Sequence, residues 1–111
     1  HRFCIPVFEE FFRRIVEGGY AHLVKTFNGS FRTRFIKGTK SLSTHAYGCA
    51  IDINAEWGRR GHIFPHQQDR YPRRKVIDEG LLIFGVIWET MGGIWGGRFN
   101  PTDAMHFQWA E

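Results

Sequence analysis

The stretch Ser43–Asn54, "STHAYGCAIDIN", decides how the fold is read. Its second half alternates. Cys49, Ile51 and Ile53 fall on one face of an extended chain, while Ala50, Asp52 and Asn54 fall on the other. A strand with an apolar back and an acidic front belongs to a sheet that is packed on one side and carries a site on the other. The segment leading into it, 37–48, is polar and punctuated by glycine, and reads as loop. A second alternation closes the chain in "MHFQW", 105–109, where Met105 and Phe107 point one way and His106 and Gln108 the other. If the two strands are neighbours, Asp52 and His106 converge on one patch.

Working outward, "PVFEEFFRRIVEGGY", 6–20, places Phe8, Phe11, Phe12, Ile15 and Val16 at helical spacing, with Gly18 and Gly19 as the stop. "AHLVKTF", 21–27, reads as a strand, and "NGS", 28–30, as the turn that returns the chain toward "FRTRFI". Residues 55–71 lack periodicity and read as a long surface loop bordering a cleft. From Pro72 the pattern predicts a second, largely buried helix running to Met91 and ended by Gly92 and Gly93. The order of elements predicts an α+β fold, a small and mainly antiparallel sheet with helices packed on one face.

The chain has 111 residues, 42% of them hydrophobic, enough for one domain spanning 1–111 around a single core. No run approaches the roughly 18 apolar residues of a membrane span, and the N-terminus lacks the pattern of a signal peptide. A start at His1 reads as a processed or excised segment. The net charge of +4 favours an anionic partner, and Arg59, Arg60, Arg70, Arg73 and Arg74 cluster in one region. Cys4 and Cys49 are too few for a disulfide scaffold and read as two reduced thiols, with one bridge between them as the alternative.

The polar residues of the two alternating strands suit a metal. A catalytic zinc takes three protein ligands and leaves a fourth position for water. His45, Asp52 and His106 meet that count, and their mixed nitrogen and oxygen donors suit zinc better than calcium or magnesium. Asp103, three residues before His106, is placed to take a proton from the zinc-bound water and return it to a leaving amine, which is amide hydrolysis. Arg34 is the candidate cation for the developing oxyanion. Asp52 lies between two isoleucines, where an unpartnered carboxylate is costly, so it needs a cation or a metal. His1, His22, His62 and His66 read as surface or core histidines, and Trp95 and Trp109 as cleft walls or core.

The pattern S-x-H-x-x-G-x-A-x-D at Ser43, His45, Gly48, Ala50 and Asp52, with D-x-M-H-F at Asp103–Phe107, resembles the zinc peptidases of the VanY-like D-alanyl-D-alanine carboxypeptidase and phage L-alanyl-D-glutamate peptidase group. That group shares its fold with the Hedgehog signalling domain. The resemblance runs through "GSFRTRFIKGTKSLSTHAYGCAIDIN" and "GGIWGGRFNPTDAMHF", about two-thirds of the chain. It implies one zinc ion on His45, Asp52 and His106, Asp103 as general base, Arg34 at the scissile carbonyl, and Ser43 as a supporting residue beside substrate; apart from the resemblance, Trp95, read as a cleft wall, is expected to bind substrate. Many relatives have Glu where this chain has Asp103, and the loop after Asn54 departs most from the family.

The expected activity is therefore hydrolysis of a peptidoglycan stem peptide, at D-Ala-D-Ala or L-Ala-D-Glu, by a monomer acting in the cell wall, periplasm or outside the cell. A phage-encoded enzyme released at lysis would fit. No nucleic-acid or membrane partner is expected. The contrasting reading is a zinc-holding binding module of the same fold that does not cleave, against which Asp103 and Arg34 both speak.

Overall fold

The computed structural model describes residues 4–35 and 47–110. In chain order these form α1 (Cys4–Glu17), β1 (Phe27–Phe35), β2 (Tyr47–Ile53), α2 (Glu79–Thr90), β3 (Ile94–Trp95) and β4 (His106–Ala110). The four strands make one sheet in the order β1-β2-β4-β3, every pair antiparallel. The α+β expectation holds, and no described helix is long and apolar enough to cross a membrane. The last strand of the chain lies between β2 and β3, so the two alternating segments pair directly: Ala50 stands opposite Gln108, and Asp52 opposite His106.

The period-2 pattern sends the apolar residues of both strands to one side. Cys49, Ile51, Ile53 and Phe107 are buried there with Phe8, Phe11 and Ile15 of α1 and Leu81, Phe84 and Trp88 of α2. Trp88 is the hub. Its ring stacks on Phe8 at 5.0 Å between centroids, tilts against Phe11 at 4.7 Å and meets Phe107 edge-on. Its indole N–H donates to the carbonyls of Ile94 and Gln108, both at 3.0 Å, so this large side chain is buried without an orphaned donor. The buried stripe of α1 is narrower than its sequence predicts, since Val16 is 62% exposed. The helix ends where predicted: Gly19 takes a positive φ of 82°, its N–H reaches Val16, and the Tyr20 N–H reaches back to Ile15 at 2.9 Å.

Four local readings change. Residues 21–27 are not a strand: Ala21–Leu23, with His22, form a 3-10 turn, and β1 starts only at Phe27. The cause is Asn54, fully buried at the end of β2 with a left-handed backbone (φ 51°). Its side-chain oxygen accepts the N–H groups of Lys25 and Thr26, and its amide donates to the Leu23 carbonyl, so the backbone of 23–26 is bonded to a side chain instead of a ladder. Asn54 thus belongs to the core, not to the acidic front.

"NGS" does not turn the chain back. It lies inside β1, where the register moves four residues, Asn28 to Arg32, against two on β2, Asp52 to Ala50. A bulge absorbs the extra residues.

The second helix starts later than Pro72, at Glu79. Residues 75–78 are held by the preceding loop: the Ile63 N–H donates to Lys75, the Ile77 N–H to Ile63 and the Asp78 N–H to Trp57. Only after Asp78, whose carbonyl accepts from Leu81 and Leu82, is the backbone free to coil.

The cysteines are not two reduced thiols. Cys4, at the start of α1, and Cys49, on the buried face of β2, are joined as a disulfide with Cα atoms 6.1 Å apart. The sheet pairing and the helix packing bring them together across 45 residues of sequence.

Candidate functional site

The side of the sheet away from the helices carries the polar residues of β2 and β4. Asp52 and His106 are directly opposite partners, and the Asp52 Oδ1 lies 3.4 Å from the His106 Nδ1. The Asp52 side chain is 37% exposed, so the sequence-based expectation of a buried carboxylate is corrected: the strand's apolar neighbours point to the opposite face. His106 is more enclosed, at 12%, with Phe99 beside it at 5.9 Å between ring centroids. Its far nitrogen, Nε2, is 2.7 Å from the Gln108 Oε1 two residues on along the same face. An amide oxygen can only accept, so the Nε2 carries a proton and donates it.

Asp103 reaches the patch through a tight turn. The His106 N–H donates to the Asp103 carbonyl at 3.0 Å, which makes Asp103 and His106 the first and fourth residues of a turn. That is the structural content of the D-x-x-H spacing. The turn is fixed from beneath by the glycine-rich stretch after β3. The Asp103 N–H donates to Gly96 at 2.7 Å, and a Cβ on Gly96 would overlap the Asp103 carbonyl, so no larger residue fits there. Trp95 donates its indole N–H to the Ala104 carbonyl at 2.8 Å and is only 2% exposed. Of the two readings open for this tryptophan, cleft wall or core, the structure gives core. It holds the loop that bears Asp103 and has no surface to offer a substrate.

The 55–71 loop flanks the other side of this turn, as expected of a cleft border, but it is more ordered than its sequence implies. Gly61 donates its N–H to Thr102, the Thr102 hydroxyl donates to the His62 carbonyl, and Met105 donates its N–H to Gly58. His62 therefore contributes its backbone here. Burial chiefly holds its imidazole below the ordinary value, with the charges of Lys75 and Arg59 adding to this and a backbone hydrogen bond to Arg59 opposing it.

The electrostatics single out one atom. Among the described residues the buried Asp103 Oδ1 has no hydrogen-bond partner. Burial pushes the Asp103 carboxyl up, and the Asp52 charge adds to this, against lowering by His106 and Arg60. For His106 burial acts to lower the pKa, but the hydrogen bonds to Asp52 and Gln108 and the charges of Asp52 and Asp103 outweigh it, so the net shift is upward. An orphaned carboxylate oxygen beside an Asp-His pair is a place poised to take up a proton or a cation.

Of the residues singled out by sequence, then, the structure brings together Asp52, Asp103 and His106. Arg34 is on β1 with its backbone opposite Gly48, in the strand next to the one that bears Asp52. Ser43 and His45 lie outside the described residues. Among the described residues no three His, Cys, Asp or Glu side chains form a metal-holding group. Sequence reasoning gave Gln108 no role, although its position two residues from His106 on a strand already put both on one face. Arg60 and Phe99 carried no comparable signal.

A family model described as D-alanyl-D-alanine carboxypeptidase matches residues 37–109. The chain belongs to that peptidase family. The matched span of this carboxypeptidase-family chain contains β2, α2, β3 and β4 up to Trp109, and with them Ser43, His45, Asp52, Trp95, Asp103 and His106. The first helix and Arg34 precede it. Membership makes the chain a peptidase of a peptidoglycan-acting family. No curated protein and no solved structure matches it.

Proposed function

We propose that this chain is a zinc peptidase that cleaves a peptide bond in peptidoglycan stem peptides, at the terminal D-Ala-D-Ala or at L-Ala-D-Glu, in the cell wall or outside the cell. The whole span 1–111 is read as one catalytic domain. The observation that carries the proposal is the convergence of Asp52, His106 and the unpartnered oxygen of Asp103 on one face of the sheet.

The donor set fits zinc. The Asp52 Oδ1 and the His106 Nδ1, an oxygen and a nitrogen donor of the kinds zinc takes, lie 3.4 Å apart. Gln108 occupies the other imidazole nitrogen, which leaves Nδ1 as the one to present a lone pair. Asp52 and His106 would hold the ion together with His45, whose assignment rests on the sequence motif. When bound, zinc supplies Lewis acidity that polarises the scissile carbonyl and acidifies water.

The chain's own residues do the rest. Asp103, its carboxyl raised by burial, accepts a proton at Oδ1 from the attacking water as the new C–O bond forms, and delivers it to the amine as the C–N bond breaks. Arg34 offsets the negative charge on the carbonyl oxygen, and Ser43 orients the substrate. Trp95 acts by positioning, through its bond to Ala104.

Metal analysis of the purified protein, paired with muropeptide digestion by the protein and by Asp103→Asn, tests this. The proposal expects one zinc in both proteins and hydrolysis only in the first. Full activity in the variant would remove Asp103 from the mechanism. Zinc without any hydrolysis by the unsubstituted protein would favour the binding-module reading.

A further inference from the structure

The net charge of the chain is confined to one segment. Residues 56–75 hold Arg59, Arg60, Arg70, Arg73, Arg74 and Lys75 against only Glu56 and Asp69, a balance of +4. The rest of the chain has nine cationic and nine anionic side chains, so the whole protein's +4 comes from this segment. All six cations are exposed. Elsewhere Arg13 and Arg14 pair with Glu10, Lys25 with Asp78, and Arg98 with Glu89. Among the described residues none of the six has a carboxylate within ion-pair distance, although Arg60 acts electrostatically on Asp103. Ordinary solvated charge is mixed in sign and locally compensated, as on α1. In this segment cations outnumber anions six to two, and none of the six pairs with a described carboxylate.

The segment is also a fixed platform. Gln67 closes a turn by accepting the Phe64 N–H, the Arg70 and Tyr71 N–H groups donate to the Gln67 carbonyl, and Ile63 is bonded to both Lys75 and Ile77. Exposed Tyr71 lies under two guanidinium groups, that of Arg74 at 4.9 Å from the ring centroid and that of Arg70 at 5.8 Å. A rigid ring with arginine forks on it offers a stacking surface and bidentate donors together. Five of the six cations are arginines, whose planar forks match phosphate oxygens.

We infer that this face, along the edge of the site, is a docking surface for a phosphodiester-bearing polymer of the cell wall, which holds the peptidase on its insoluble substrate. The inference rests on the peptidoglycan reading above. Nucleic acid has the same charge, but the predicted substrate lies in the wall, and the loop that carries the cations also borders the Asp103 turn.

The test measures binding of the full chain to wall sacculi, either with phosphodiester polymers intact or acid-stripped of them, and to duplex DNA, over a range of salt. With six cations engaged on a linear polyanion, affinity should fall about 300-fold between 50 and 200 mM salt, and about 20-fold with three left. The triple substitution Arg70→Ser, Arg73→Ser, Arg74→Ser should show the shallower dependence, whereas the matching Lys triple keeps the steep one. Both should hydrolyse soluble muropeptides at the unsubstituted rate, which also shows that they fold. Equal retention on stripped sacculi, unchanged salt dependence in the Ser triple, or DNA bound as tightly as sacculi would each overturn the inference. Failure of the peptidase reading would show separately, as no hydrolysis of soluble muropeptide by the unsubstituted protein.

Discussion

Replacing Asp103 with Asn should make the metal-free protein more stable and at the same time inactive. The Asp103 Oδ1 is buried without a partner, and a buried unsatisfied polar group costs about 1–3 kcal/mol. Asparagine keeps the shape and one dipole but removes the charge, so about 1 kcal/mol of that should return at neutral pH, or about 4 °C in melting temperature for a domain of this size. The sign of the pH dependence follows from burial. The folded pKa of Asp103 is raised above its ordinary 3.8, so its contribution to stability is fully present below that value and is lost as pH rises through the folded pKa. The advantage of the variant should therefore be near zero at about pH 4 and grow toward neutrality. Glu10, held down at about 2 by Arg13 and Arg14, has the opposite slope in both proteins and cancels in the comparison. Thermal unfolding of chelator-treated proteins across this range measures the effect, and muropeptide hydrolysis should fall about 10²–10⁴-fold. A variant that is no more stable than the parent at neutral pH, or whose difference does not grow with pH, would refute the reasoning from the orphaned oxygen.

Three further outcomes follow from other parts of the structure. Reducing the Cys4–Cys49 bond, or replacing both residues by Ala, frees a 45-residue loop in the unfolded chain and should cost about 4 kcal/mol, seen as a large drop in melting temperature; no change on reduction would argue that the bond is absent. Gln108→Leu removes the partner of the His106 Nε2 and should weaken zinc binding about 10–100-fold in a competition titration, with little change in the melting temperature of the metal-free protein. Asn54→Ala leaves the Lys25 and Thr26 N–H groups and the Leu23 carbonyl without their partner, and should destabilise the fold by about 2–4 kcal/mol in denaturant unfolding while leaving the site residues in place.

The parts of the fold legible in sequence are those governed by local periodicity. The alternation in 49–53 and 105–109 gave both faces of β2 and β4 and so put Asp52 and His106 on the polar side, because a period of two leaves a side chain no choice of face once its neighbours are buried; that the two strands are neighbours, which makes the pair meet, is a property of the fold. The i,i+3,i+7 spacing of Phe8, Phe11 and Ile15 gave the buried stripe of α1 for the same reason. What failed was decided by distant partners. Asn54 claims the backbone of 23–26 from 28 to 31 residues away, and Ile63 holds Lys75 and Ile77 out of the second helix. "NGS" has turn chemistry, but the pairing of β1 with β2 on both sides of it turns an expected hairpin into a bulge. The disulfide needs the whole fold to bring its halves within reach. At the site, sequence supplied Asp52, Asp103 and His106, while the core position of Trp95 depends on packing against Gly85 and Ala104 that no local pattern encodes.

The central claim is that the Asp52, Asp103 and His106 patch hydrolyses a peptide bond in peptidoglycan stems. Mass spectrometry of purified muropeptides after incubation with zinc-loaded protein tests it most directly. The account predicts either loss of one alanine from the stem terminus or release of a stem peptide cut at L-Ala-D-Glu, both abolished by Asp103→Asn and by metal removal. An unaltered muropeptide spectrum from the folded, zinc-loaded protein would contradict it.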